Sequence, residues 1–154
     1  MKLWIRLALL VLTLLVLLTT TVFVAVRWRS IPEQIPSHFD GGGHVTDWTG
    51  KGSLITLLVI DWAAAILVAV TARMSPETRK KYGIRVSAIR VGSRTVLPAT
   101  GLMLDILALV LALIFSYVAV CSALCRELGA WFLPATLAAV FLPILIPVTA
   151  SLRK

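Results

Sequence analysis

The sequence predicts an all-α membrane protein: four transmembrane helices, both termini on the inner side, and an ordered outer loop between the first two helices. Three observations carry this reading. Hydrophobic residues make up 59% of the 154-residue chain and the mean hydropathy is +0.96; so small a chain has too much surface for its volume to hide that much apolar material from water. The apolar residues gather into four runs, 3–26, 54–72, 96–120 and 128–150, each near the roughly 20 residues needed to cross a hydrocarbon core about 30 Å thick. The charged residues flank these runs unevenly. With the N-terminus inside, the inner segments hold Lys2, Arg6, Arg73, Arg79, Lys80, Lys81, Arg85, Arg90, Arg94, Arg153 and Lys154, and the outer segments only Arg27, Arg29, Lys51 and Arg126. Eleven basic residues against four place both termini in the cytoplasm by the positive-inside rule. The net charge of +8 forms no continuous basic face, which argues against nucleic acid as a partner.

The first run, 3–26, follows Lys2 and contains Arg6. It is longer than the 7–15 apolar residues or so of a signal peptide, and no small-residue cleavage site follows it, so it reads as an uncleaved helix. Arg27, Trp28 and Arg29 read as its stop and interfacial anchor. Thr19, Thr20 and Thr21 can bond back to their own helix backbone, and the helix reads as mostly lipid-facing.

The outer loop, 27–53, is the polar island of the chain. Pro32 and Pro36 push their preceding residues towards extended backbone, and Gly41, Gly42 and Gly43 permit a tight turn. A short strand or extended piece is expected on each side of that turn. Ile31, Ile35, Phe39, Val45 and Trp48 are too apolar for a freely solvated linker, so the loop should fold back onto the outer face of the bundle.

The second run, 54–72, carries Asp61. After it comes a basic inner loop, 73–95, in which Ser75 and Pro76 form a helix-start signal. Tyr82, Val86 and Ile89 would share one helical face. Both an interfacial amphipathic helix and an ordinary basic loop fit this segment. The third run, 96–120, carries Asp105. Cys121 and Cys125 follow it; four apart on a continuous helix they suit a disulfide poorly and read as small packing residues. The fourth run, 128–150, contains Pro143 and Pro147, expected to kink it.

Asp61 and Asp105 are costly at membrane depth and are functional candidates by default. Asp61, Ala65, Ala69 and Ala72 fall on one helical stripe; Gly101, Asp105, Ala108, Ala112, Ser116 and Ala119 fall on another. Small residues let membrane helices approach closely, so the stripes should pair. Counting from the inner ends puts the aspartates about 13–16 Å deep, and hence near each other. The spans are read as supplying neither with a basic partner, so at least one should be protonated at neutral pH. Such a pair could handle protons or cations; a plain interhelical hydrogen bond is the alternative.

In the outer loop His38, Asp40, His44 and Asp47 are four oxygen or nitrogen donors within ten residues. His38 and His44 are weak candidates for a metal, because a zinc site needs three or four convergent ligands and this spacing matches no strong motif. No cofactor is called for.

Pro32, Ile35, Pro36, His38, Phe39, Asp40, Gly43, Trp48 and Lys51 together resemble the pattern of the DUF1648 domain, found towards the N-terminus of SdpI-like bacterial membrane proteins. The resemblance covers about 50 residues, and the chain looks like a shorter relative of full SdpI-like proteins. It implies a bacterial plasma-membrane location and a non-enzymatic role in immunity to a secreted peptide or in signalling. A peptide would then meet Pro36, His38, Phe39, Asp40, Gly43, Trp48 and Lys51 from outside. A cytoplasmic protein partner would meet 73–95. The competing expectations are a small proton-coupled transporter using Asp61 and Asp105, working as a homo-oligomer, and a membrane metalloenzyme at His38 and His44.

Overall fold

The computed structural model describes residues 3–83, 90–91, 94–95 and 100–152. It is mostly helical: α1 (Leu3–Arg27), a 3-10 turn (Trp28–Ser30), β1 (Gln34–Phe39), β2 (Val45–Gly50), α2 (Ser53–Arg73), α3 (Pro76–Lys81), β3 (Arg90–Val91), β4 (Arg94–Thr95), α4 (Thr100–Ala123) and α5 (Phe132–Leu152). Among the described residues three helical stretches are long and apolar enough to cross a membrane: Leu3–Ser30, Ser53–Arg73 and Gly101–Ala123. Phe132–Leu142 is a shorter apolar helix. The chain is therefore an integral membrane protein whose apolar helices imply a bilayer around them.

Helix α4 is the centre of the bundle, packing on α2, α1, α5 and β1. The α2–α4 contact is the most extensive and follows the small-residue stripes. Asp61, Ala65 and Ala72 are buried on α2, and Asp105, Ala108, Ala112, Ser116 and Ala119 on α4. Between membrane helices there is little hydrophobic drive, so close backbone approach and dispersion have to hold them; the alanines of both stripes permit it. On α1 only Thr13, Leu17, Thr20 and Val24 are buried, one narrow stripe. Leu7, Val11, Leu14, Leu15, Leu18 and Val22 are exposed, which suits lipid. Thr13, Thr19, Thr20 and Thr21 each donate to the carbonyl four residues back, at 2.6–3.0 Å. Thr21 also accepts Trp62 Nε1–H at 3.0 Å, a bond between spans worth roughly 0.6 kcal/mol.

Helix α4 ends in a double-bonded C-terminal turn. Arg126 N–H donates to Cys121 O at 2.9 Å and Cys125 N–H to Ser122 O at 3.1 Å, the Schellman pattern. Cys125 takes the left-handed position, with φ 51°, usually a glycine's place. Cys121 and Cys125 are free thiols. The helix is thus not continuous through both cysteines, as the sequence reading assumed. Helix α3 begins as the sequence suggests: Ser75 Oγ accepts Thr78 N–H at 3.1 Å. It stops at Lys81, before Gly83 at φ 69°. The expected face shared with Val86 and Ile89 lies outside the described residues. Helix α5 continues as one helix past Pro143 and Pro147.

Candidate functional site

The loop between α1 and α2 folds into an antiparallel hairpin. Its register pairs Gln34 with Gly50, Ile35 with Thr49, Pro36 with Trp48, His38 with Asp47 and Phe39 with Val45, with a bulge at Ser37. Ile35 and Pro36, neighbours in sequence, are both buried. Ile31 is 4% and Ile35 1% exposed, in a core with Val24, Leu54, Ala119 and Ala123. Burying two such side chains stabilises the docked hairpin by about 1.5–3 kcal/mol each where they would otherwise meet water. A cavity of about 300 Å³ lies between Pro36, Ser37, the start of α2 and the end of α4.

The turn is built by Asp40. Its Oδ1 accepts Gly42 N–H at 2.8 Å and His44 N–H at 2.9 Å, and its backbone closes the loop with His44 O and Gly43 N–H at 3.0 Å each. These bonds, led by that from His44, hold the Asp40 carboxyl below its usual value. Gly43, at φ 83°, meets the turn between α4 and α5. Its carbonyl accepts Leu128 N–H at 3.0 Å. A Cβ on Gly43 would lie 2.7 Å from Gly129 N and O, so only glycine fits. Beside this contact His44 Nδ1 is 3.2 Å from Glu127 Oε1. The bond to Glu127, then its charge and that of Asp40, raise the His44 pKa.

The base of the hairpin is closed by Lys51. Its backbone N–H donates to Glu33 O at 2.9 Å and its Nζ is 2.8 Å from Glu33 Oε1. The same Nζ sits 5.5 Å from the Trp28 ring centroid. Lys51 is therefore a clamp rather than a free charge. Phe39 is half-buried. His38 is exposed, 3.2 Å from Ser37 Oγ and 3.8 Å from Asp47 Oδ2. Trp48 is 51% exposed. The outward face of β2, Thr46 to Trp48, is open.

The four candidate metal donors do not converge. His38 pairs with Asp47, and His44 with Glu127. Among the described residues no group of three or more His, Cys, Asp or Glu could hold a metal ion. Separate carboxylates claim each imidazole, and the hairpin register keeps the two pairs apart.

The two membrane carboxylates are also apart, which corrects the sequence reading. Asp61 stands opposite Ser116, whose Oγ–H donates to Asp61 Oδ2 at 3.4 Å. Asp105 stands near the other end of α2, with the Arg73 Nη1 donor 3.0 Å from Oδ1. On α4, Asp105 and Ser116, the partner of Asp61, are eleven residues apart, about 16 Å along the helix. The error was register: the sequence gives the stripes but not how far one slides along the other. Asp105 is moreover paired. Arg6 Nε–H donates to its Oδ2 at 2.6 Å, and Arg6 also donates to Ala72 O at 2.9 Å. Arg6 lies within the first apolar run, where an arginine signals an acidic partner, and that signal contradicts the expectation that no span supplies the aspartates with a basic partner. Gly101 makes the room, since a Cβ there would lie 2.9 Å from Arg6 Cζ. Asp61 is different. It is 2% exposed, and its Oδ1 has no hydrogen-bond partner.

Residues 14–62 match the model of the family described as Domain of unknown function (DUF1648). The match runs from within α1, through the hairpin, to just past Asp61. No curated protein and no solved structure matches the chain.

Proposed function

We propose that this is a non-enzymatic binding protein of the bacterial plasma membrane, an immunity or signalling module with both termini in the cytoplasm. The hairpin is its outer ligand platform, and the basic segment 73–95 faces a cytoplasmic protein partner. One observation supports the reading most: the hairpin is fixed on one side and open on the other. Ile31, Ile35 and Pro36 are buried against the helices, Lys51 closes the base and Gly43 the tip. The outward side presents Asp47 and a half-exposed Trp48 on a strand held in one conformation. Exposed tryptophans on rigid supports are the residues that anchor protein and peptide partners. The likeness to SdpI-like proteins points to a secreted peptide as that partner. A proton pathway through Asp61 and Asp105 has less support, since two arginines engage Asp105. A metalloenzyme has less support, since His38 and His44 lie beside different carboxylates.

The test is protection. Bacteria carrying the chain are challenged with peptides secreted by neighbouring cells. Trp48→Ala should abolish protection while membrane insertion is unchanged, and equal protection by Trp48→Ala would overturn the reading. Cysteines placed at Ser37 and Thr78 report orientation. With Cys121 and Cys125 replaced by serine, an impermeant thiol reagent on whole cells should label the cysteine placed at Ser37 and spare that at Thr78.

A further inference from the structure

A second candidate site lies within the bundle. A groove of about 470 Å³ runs between α1, α4 and α5, lined by Thr20, Ser116, Tyr117, Trp131 and Phe132 among others. Its size is that of a small-molecule pocket, for which roughly 300–1,000 Å³ is usual. At its mouth the Tyr117 ring stacks on Phe132 at 5.3 Å and meets Trp131 at 5.3 Å. The hydroxyls on its wall are already engaged. Thr20 Oγ1–H donates to Val16 O, Tyr117 Oη–H to Leu128 O and Thr136 Oγ1–H to Leu133 O. Ser116 is the exception in direction, because it reaches out of the groove to Asp61. Behind that wall is therefore a carboxyl whose Oδ1 lacks any partner. Among the described residues no Lys or Arg pairs with it.

An apolar groove, three aromatic rings and an uncompensated acidic group just behind Ser116 define one class of occupant. We propose that the groove binds a lipophilic organic cation, with Trp131 and Tyr117 receiving its charge on their ring faces and Asp61 supplying the counter-charge. An anion would face Asp61. The site is separate from the hairpin platform and does not depend on it.

Tetraphenylphosphonium and tetraphenylborate are matched probes of opposite sign. Their binding to the purified full-length protein is measured by equilibrium dialysis in zwitterionic nanodiscs. The chain carries a net charge of +8, so its overall field favours the anion, and a preference for the cation has to come from the groove. Saturable cation binding at least tenfold tighter than anion binding is expected. Asp61→Asn should remove at least a tenfold part of it, and Trp131→Ala should weaken it several-fold with the melting temperature unchanged. Equal binding of the two ions overturns the proposal, as does cation binding undiminished in Asp61→Asn. Should Asp61→Asn fail to fold, undiminished binding by Trp131→Ala overturns it instead.

Discussion

Arg6 and Asp105 lie ninety-nine residues apart in the chain and 2.6 Å apart in space. Arg73 completes the arrangement from α2. Three helices thus meet at one buried carboxylate, whose side chain is 2% exposed. Removing one partner of a buried pair leaves the other charge uncompensated, which costs about 3–5 kcal/mol. Arg6 and Arg73 are partly exposed and can turn towards headgroups, so Asp105→Asn should cost about 3 kcal/mol, at the low end of that range. Detergent-unfolding titrations measure it.

Asp61→Asn should behave oppositely. The group gives up one long contact with Ser116 and has an oxygen without a partner. Its replacement by an amide of the same shape should change stability by no more than about 1 kcal/mol. The same titration run beside Asp105→Asn decides whether the two aspartates have the separate roles their surroundings indicate.

Gly43→Ala should loosen the hairpin tip. The new Cβ meets the Gly129 backbone at 2.7 Å and the residue keeps a left-handed φ, a strain of about 1–3 kcal/mol. Gly41→Ala is the control, with its nearest neighbour at 3.7 Å on the Leu133 side chain. Amide exchange at Leu128, whose N–H bonds Gly43, should accelerate in the first variant and not in the second.

Docking of the tip should depend on pH through His44. Its folded value lies above 6.5 because of Glu127 and Asp40. A raised folded pKa stabilises fully below the unfolded value and ceases to do so as pH rises through the folded one. The Asp40 carboxyl lies below 3.8, so its contribution is present above that pH and is lost only in stronger acid. The tip is held best between about pH 4 and 6.5, and loosens above that range as His44 loses its proton. Both groups are exposed, so the effect is small. Imidazole NMR should place the His44 midpoint above 6.5, and Glu127→Gln should lower it.

Lys51→Ala should open the base of the hairpin. It removes the Glu33 pair and the contact with Trp28, together about 1 kcal/mol. Hydrogen exchange across β1 and β2 should quicken, with the helices unaffected.

The parts of this structure that follow local rules were legible in the residues. Apolar run length marked the three long helices, though the fourth run gave a shorter apolar helix; alanine and serine at helical spacing marked the α2–α4 contact, and two prolines ahead of a glycine run marked an extended segment leading into a turn. What was missed depends on distant parts of the chain meeting. Asp105 was read as unpaired because Arg6 and Arg73 come to it from two other helices. Lys51 looked like a motif charge, and its role appears only when the hairpin register brings Glu33 and Trp28 beside it. Leu128 and Gly129 carry no signal at all until Gly43 is laid against them. The left-handed Cys125 was hidden for another reason, since no local preference announces a cysteine in a glycine's place.

Helix α4 is fastened at both of its ends. Leu128, just beyond its C-terminal end, is bonded to Gly43 of the hairpin and to Tyr117; Asp105, in its second turn, is bonded to Arg6 and Arg73. From Asp105 to Ala123 the helix runs without a break, about 27 Å of stiff rod. The hairpin tip and the carboxylate that ties the start of α1 to the end of α2 are therefore joined through one rigid helix and the short turn that follows it.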